Sequence, residues 1–192
     1  MRICVYCASS QRIDRIYLET ARSLGGILAK QSVTIVYGGG GTGSMGAVAD
    51  GALEEGGHVV GVIPEFMYEL EWGHTGLQQM KVVKSLHERK RLMLEEVDAC
   101  VALPGGSGTL EELLEAITLK RLGIYLKPIV LLNVRGFFDP LLEQFERCVS
   151  EQFMDDRHRL MWRVVEHPEE VLTAIESSPK WSSEARNFAS LR

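Results

Sequence analysis

Residues 33–52, "VTIVYGGGGTGSMGAVADGA", decide the fold class. The β-branched run 33–37 passes through consecutive glycines into an apolar segment, and Gly41, Gly43 and Gly46 satisfy the pattern G-x-G-x-x-G. Glycines between a strand and a helix permit a tight turn and bring backbone N–H groups and the positive end of the helix dipole close to a phosphate. The stretch predicts a strand–turn–helix unit that suits a phosphorylated ligand.

The rest of the chain repeats this alternation of strand and helix. Short apolar runs predict strands at 2–7, 33–37, 58–63, 99–104 and 128–133, and helix-length segments occupy 14–30, 44–56, 86–97, 109–123, 138–152 and 168–177. Apolar strands that are each followed by a helix are typical of a parallel sheet covered on both faces. We expect a Rossmann-like, doubly wound α/β fold with ligands at the carboxyl ends of the strands.

Length and composition favour a single domain. The chain has 192 residues, of which 45% are hydrophobic and 24% charged, so one well-buried core is expected. We assign residues 1–178 to this domain and residues 179–192 to a C-terminal tail that is irregular or weakly helical.

Charge and hydropathy exclude several classes of partner. The net charge of −5 argues against nucleic acid and anionic membranes, which require clustered Lys and Arg. The sequence contains neither an apolar run of about 18 residues nor a secretion signal. We therefore expect a cytoplasmic protein whose partner is a small molecule.

Cys4 and Cys7 form a C-x-x-C pair, which raises the question of a redox or zinc site. Both lie in a predicted strand, where residues three apart point to opposite faces of the sheet. The five histidines show no metal-ligand spacing with each other or with cysteine. The sequence predicts no metal site.

A second glycine-rich turn occurs in "VALPGGSGTLEELLEA" (101–116). Two such helix starts at one sheet edge favour a single phosphorylated ligand held from two sides. A dinucleotide, with Glu65 as ribose ligand, explains only the first turn, and no Lys precedes Ser44 as a Walker A loop requires. Glu112 has two interpretations, since Thr109-x-x-Glu112 also fits a capping box; the alternative is a carboxylate offset toward the sugar.

The segment "SLHERKRLMLEEV" (85–97) places cations on an apolar helical line. Leu86, Met93 and Val97 mark an apolar helical face, and Arg89 and Lys90 lie between Leu86 and Met93. A solvated, charged helix is one interpretation. Inward-facing cations near two anion-binding turns would instead complete a phosphate or sugar site.

These motifs together resemble a known family. "PGGSGTLEE" resembles the PGGxGTxxE signature of the Lonely Guy family, the cytokinin riboside 5′-monophosphate phosphoribohydrolases, which often carry the label lysine decarboxylase. "YGGGGTGSMG" resembles its first glycine loop and "HERK" its Arg-Lys motif, so the resemblance covers nearly the whole chain except the tail. It implies a homodimeric enzyme without a cofactor, which cleaves the N-glycosidic bond of a nucleoside 5′-monophosphate to free base and ribose 5-phosphate.

The resemblance also assigns residues. Its catalytic Arg and Glu fall on Arg89 and Glu112, where Glu112 would stabilise an oxocarbenium-like sugar and activate water, and Arg89 would keep Glu112 ionised. The substrate-binding positions, by the resemblance or by their place after a strand, are Ser9, Ser10, Gly39, Gly40, Gly43, Met45, Gly46, Glu71, Lys90, Gly105, Gly106, Ser107, Gly108, Thr109, Glu111 and Thr118.

The sequence departs from the family pattern at Leu86, at Ser107 and in the loop "YELEWGHTG" (68–76). These departures lie near the expected base-binding side, so they affect the preferred base more than the reaction. A non-catalytic nucleotide or cofactor carrier on the same fold is the alternative function, and it predicts binding without base release.

Overall fold

A seven-stranded sheet organises the molecule, for which the computed structural model describes residues 1–70 and 72–190. Its strands are β1 (Arg2–Tyr6), β2 (Thr34–Tyr37), β3 (Val59–Pro64), β4 (Gln79–Val83), β5 (Ala99–Ala102), β6 (Ile129–Leu132) and β7 (Arg163–Val165). The α-helices are α1 (Arg15–Lys30), α2 (Gly43–Glu54), α3 (Glu65–Glu69), α4 (Leu86–Leu94), α5 (Ser107–Arg121), α6 (Asp139–Ser150) and α7 (Val171–Glu176).

The strand order β4-β3-β2-β1-β5-β6-β7 contains one topological switch point. All six pairings are parallel. From β1 the chain builds outward to β4 and then returns to the other side of β1 at β5. In such sheets the crevice outside the carboxyl ends of the strands at the switch point receives the ligand. The predicted Rossmann-like fold is confirmed.

Alternating side chains build one core on each face of the sheet. Ile3, Val5 and Cys7 of the first strand region pack with α1, α2 and α7, whereas Cys4 and Tyr6 pack with α4, α5 and α6. Cys4 and Cys7 therefore point to opposite faces, as the strand periodicity predicts, and the four cysteines are free thiols.

The sequence did not predict β4, β7 or the short helix α3. β4 and β7 are the two edge strands, and each has only one neighbour and a partly exposed surface. In β4 only Val83 is buried, so the strand shows neither a continuous apolar run nor a strict alternation.

Residues of the C-terminal tail pack on the end of α5. Trp181 Nε1 donates to the carbonyl oxygen of Lys120 at 2.7 Å, and Phe188 meets Trp181 edge-on at a centroid distance of 5.9 Å. Ser183–Asn187 form a short 3-10 helix in which Ala185 is buried. Within the described part of the chain, none of the helices combines the length and the apolar character needed to cross a lipid bilayer.

Candidate active site

A cavity of about 590 Å³ opens at the carboxyl ends of the central strands, a volume that suits a ligand of nucleotide size. It is lined by residues at or after the ends of β1, β2, β3 and β5, by the first turns of α5 and by Arg89 of α4: Cys7, Ala8, Ser9, Ser10, Gly38, Gly40, Thr42, Met45, Ile63, Met67, Trp72, Arg89, Gly106, Ser107, Gly108, Thr109 and Glu112.

An ion pair between α4 and α5 forms part of the cavity wall. Arg89 Nη1 donates to Glu112 Oε1 at 2.9 Å, and the two side chains are only 12% and 8% exposed. Arg89 therefore faces inward with Met93, whereas Leu86, which the sequence placed on the same line, is 49% exposed. A hydrogen-bonded ion pair this far from water is costly to desolvate and is typical of a functional site.

The Arg89 guanidinium also binds the ends of two strands. Its Nε donates to the carbonyl oxygen of Val62 at 3.0 Å, and its Nη2 donates to that of Gly38 at 3.2 Å. A Cβ at position 38 would collide with the guanidinium, so this glycine makes room for the arginine. Arg89 is held rigidly by three acceptors and in turn fixes the Glu112 carboxylate.

Burial dominates the ionisation of Glu112. Loss of water around the carboxyl group raises its pKa from 4.5 to about 6, and the positive charge of Arg89 opposes this shift without cancelling it. The expectation that Arg89 favours the ionised form is right in direction, but burial outweighs it. Glu112 therefore changes charge close to neutral pH, as a general base requires.

The second glycine loop leaves open space in front of α5. The helix begins at Ser107 with Gly106 as its N-cap, and no side chain caps it. The capping-box interpretation is therefore wrong, because Thr109 lies inside the first turn with its side chain against Gly105. A Cβ at Gly106 or Gly108 would meet no atom within 4 Å, so a ligand has access to the first N–H groups of the helix.

The first glycine loop serves packing more than ligand access. Gly43 adopts φ +62°, and a Cβ there would lie 2.5 Å from the carbonyl carbon of Ser9. Met45 N–H donates to the carbonyl oxygen of Ala8 at 3.0 Å, and a Cβ on Gly46 would lie 2.5 Å from the Gly41 oxygen. Gly43 thus lets the loop after β1 rest on the start of α2, and Gly46 leaves room for the Gly41 backbone of the glycine loop itself.

Several predicted ligand residues lie outside the cavity lining. Lys90 forms ion pairs with Glu111 and, at 3.0 Å, with Glu115, and the hydrogen bond with Glu111 raises the pKa of Lys90. Thr118 is exposed further along α5. Gly39, Gly43, Gly46 and Gly105 support the loops from behind the lining. Glu71 lies outside the described residues.

The cavity brings together Ser9, Ser10, Gly40, Met45, Arg89, Glu112 and the Gly106–Thr109 turn. Sequence reasoning did not single out Cys7, Ala8, Gly38, Thr42, Ile63, Met67 and Trp72. Most of these follow the ends of β1, β2 and β3, so their place after a strand was the available signal. Trp72 lies in the loop 68–76, which the sequence analysis placed near the base-binding side without singling out this residue.

Comparison with known proteins identifies the family. Residues 45–175 match the protein family described as "Possible lysine decarboxylase". Cytokinin riboside 5′-monophosphate phosphoribohydrolase LOG of Oryza sativa subsp. japonica is 42% identical over 181 residues, which cover 94% of this chain and 75% of the relative. The chain belongs to the Lonely Guy family.

Solved structures show how widely the fold of the Lonely Guy family is shared. An X-ray structure of a structural genomics target is 26% identical, with a TM-score of 0.72 over 91% of this chain and 98% of that chain. The molybdenum cofactor carrier protein of Chlamydomonas reinhardtii is 23% identical, with a TM-score of 0.69 over 91% of this chain and 95% of the carrier. At that identity the carrier shows a common fold alone.

Proposed function

We propose that the chain hydrolyses the N-glycosidic bond of an adenosine 5′-monophosphate, with or without an N6 substituent, to the free base and ribose 5-phosphate. The observation that carries this proposal is the buried Arg89–Glu112 ion pair in the wall of the cavity at the switch point. The name of the Oryza relative describes a hydrolase of this kind.

The order of the strands supports a direction for the nucleotide. The N-terminus of α5 follows β5, whereas Ile63 lies near the end of β3 and Met67 follows β3. Three inter-strand steps of about 4.8 Å separate β5 from β3, or roughly 14 Å. A 5′-phosphate at the start of α5 then leaves the sugar beside Glu112 and the base toward β3.

Glu112 supplies the charge that the reaction needs. Cleavage passes through an oxocarbenium-like sugar, which an adjacent carboxylate stabilises. The carboxylate accepts a proton from the attacking water, whose oxygen bonds to the anomeric carbon, and the bonding electrons leave with the base nitrogen. Protonated Glu112 then returns the proton toward the departing base. Arg89 positions Glu112, and the phosphate anchors the substrate so that the reacting bond is aligned.

The test is to incubate the protein with nucleoside 5′-monophosphates and the matching nucleosides, and to measure free base. Glu112→Gln and Arg89→Ala are expected to lower base release at least about a hundredfold, the usual contribution of a general base. Glu115→Gln is the matched control, because this carboxylate lies one turn further along α5 and pairs with Lys90. Binding of AMP without base release by the wild type would instead support a carrier.

We further propose that the enzyme is a cytoplasmic homodimer. Leu114 on α5 and Leu122 directly after its end are 39% and 38% exposed, and they accompany the exposed Thr118 and Glu111. These two polar residues can contact a nucleotide only if this face of α5 meets the cavity of a second copy. A cytoplasmic location fits a substrate drawn from the nucleotide pool. Light scattering combined with size-exclusion chromatography checks the mass, and a monomer with full activity would exclude this role for Thr118.

A further inference from the structure

Trp72 is a large aromatic residue in an unusual position. Its side chain is 55% exposed and also lines the cavity, beside Met67, Ile63 and Met45. Single exposed apolar residues are common at protein surfaces, so the exposure of Trp72 gains meaning from its place beside the cavity. Its place at the mouth of the cavity indicates contact with a ligand.

The backbone of Trp72 is fixed on both sides. Its N–H donates to the carbonyl oxygen of Met67 at 3.2 Å, and its carbonyl oxygen accepts from Gly41 N–H at 3.0 Å. The neighbouring Gly73 forms an isolated β-bridge with Gly40. The loop that carries Trp72 is thus attached by its backbone to the first glycine loop, which fixes the position from which the indole extends beside the cavity.

His74 and Asp50 add a side-chain anchor to the same loop. Gly76 N–H donates to His74 Nδ1 at 3.0 Å, so the ring proton lies on Nε2 and is donated to Asp50 Oδ1 at 3.1 Å. Asp50 belongs to α2, which is packed under the first glycine loop. His74 N–H also donates to the carbonyl oxygen of Gly39 at 2.9 Å. The His74 side chain is only 11% exposed, whereas the Asp50 side chain is 49% exposed, so the imidazole is shielded from water and its acceptor is not.

The chemistry of this end of the cavity suits a flat, weakly polar group. Met45, Ile63 and Met67 offer methyl, methylene and thioether surfaces, and the indole ring offers a face for stacking. Stacking on aromatic side chains tolerates different bases, because every base presents a π-face. Such a wall holds a purine without hydrogen-bonding its exocyclic amine, so an apolar N6 substituent does not break a contact.

We propose that Trp72 binds the base and sets the preference for an apolar N6 substituent, and that His74 and Asp50 are positioning residues that hold its loop at the cavity. This inference rests on the proposed function, because it takes the ligand to be a purine nucleotide with its phosphate at α5. The base stacks against the indole, and the exposed part of the ring extends the apolar surface to an N6 substituent.

The experiment compares Trp72→Ala, Trp72→Phe and His74→Phe with the wild type. Trp72→Ala is expected to raise the KM for AMP about five- to a hundredfold, the range for a lost base–aromatic stack, with a larger rise for an N6-alkylated AMP. The kcat is expected to change less than about threefold, and Trp72→Phe restores most of the KM. His74→Phe keeps the ring but loses both hydrogen bonds, so it raises KM in the same direction by a smaller factor.

Ribose 5-phosphate separates this role from general damage to the fold, since it has no base to stack. Its inhibition constant is expected to stay within about twofold in all three variants, because the α5 site is untouched. Phe66→Ala is the matched control, since Phe66 is 49% exposed on α3 and does not line the cavity. An unchanged KM for AMP in Trp72→Ala overturns the inference, and so does an equal loss of affinity for ribose 5-phosphate. An unchanged KM in His74→Phe overturns the positioning role.

Failure of the proposed function gives a different result. If the wild type releases no base from any nucleotide, calorimetric titration with AMP and with ribose 5-phosphate replaces the kinetic measurement. Weaker AMP binding by Trp72→Ala, with ribose 5-phosphate binding retained, then supports stacking of the base on Trp72 even without catalysis. Equal AMP binding by the wild type and Trp72→Ala rejects stacking of the base on Trp72.

Discussion

Glu112 shows how one residue exchanges stability for reactivity. Burial raises the pKa of its carboxyl group from 4.5 to about 6, so the folded protein binds this proton more tightly than the unfolded chain does. The resulting stabilisation is complete below about pH 4.5 and is lost as the pH rises through 6. A shift of this size corresponds to about 2 kcal/mol. Keeping Glu112 ionised for catalysis therefore costs stability at neutral pH.

Glu112→Gln is expected to become more stable than the wild type by about 2 kcal/mol at pH 7.5 and by almost nothing at pH 4. The glutamine oxygen keeps an acceptor for Arg89 while removing the buried charge. Urea unfolding at both pH values measures the difference. In parallel, the kcat/KM of the wild type should rise with pH up to about 6 and then level off, because the reaction uses the carboxylate. A stability difference independent of pH would show that the Glu112 carboxyl group is not the titrating group.

At the scale of elements, the two glycine loops have different tasks despite similar sequences. A Cβ added to Gly108 would have no atom within 4 Å, whereas Gly43 has positive φ and a Cβ there would meet the backbone of the β1 loop at 2.5 Å. The glycines of the first loop allow close backbone packing, and those of the second leave the N-terminus of α5 accessible to a ligand. A run of glycines between a strand and a helix cannot distinguish these tasks, because both need small residues.

Gly108→Ala is expected to leave the free energy of unfolding within about 0.5 kcal/mol, as for an uncrowded surface substitution, while weakening the binding of ribose 5-phosphate. Gly43→Ala forces an L residue into positive φ against the Ser9 backbone, and we expect a loss of at least about 1 kcal/mol. Thermal unfolding and titration with ribose 5-phosphate separate the two effects. Undiminished affinity in Gly108→Ala would argue against phosphate at the start of α5.

Elements whose burial leaves a regular pattern of apolar residues can be predicted from the sequence. The five central strands are apolar throughout and were predicted, and the Arg89 line was visible because two cations interrupt an apolar helix face. β4 and β7 were not predicted, since edge strands such as Gln79–Val83 are half exposed. The loop 68–76 was expected near the base, but Trp72 was not singled out, because its place depends on hydrogen bonds between this loop and the first glycine loop, and such long-range contacts leave no local pattern.

At the scale of the whole molecule, the C-terminal tail completes the core on the α5 side of the sheet. Lys120 is buried, and its Nζ donates to the carbonyl oxygen of Lys127 at 2.5 Å. The Trp181 ring lies over it with its centroid 5.8 Å from Nζ. Burial lowers the pKa of Lys120 from 10.5 to about 8. The tail thus shields a lysine that has no carboxylate partner within the described residues of the domain.

This arrangement makes stability depend on alkaline pH. Below about pH 8 the folded chain holds Lys120 as a buried charge, whereas the unfolded chain keeps its proton up to about pH 10.5, so stability rises between these values. The pKa shift of Lys120 is equivalent to about 3 kcal/mol. Lys120→Met removes the charge, and its stability relative to the wild type should fall by about that amount between pH 7 and pH 10.5.

Trp181→Ala tests whether the tail causes the shift. Without the indole, water reaches Lys120 Nζ, so its pKa rises toward 10.5 and the alkaline gain in stability shrinks. Chemical unfolding of wild type, Lys120→Met, Trp181→Ala and the double variant at both pH values forms a double-mutant cycle. If the coupling energy between Lys120 and Trp181 disappears at high pH, the tail acts through the charge of Lys120. A coupling energy that stays constant with pH would show instead that Trp181 acts through packing alone.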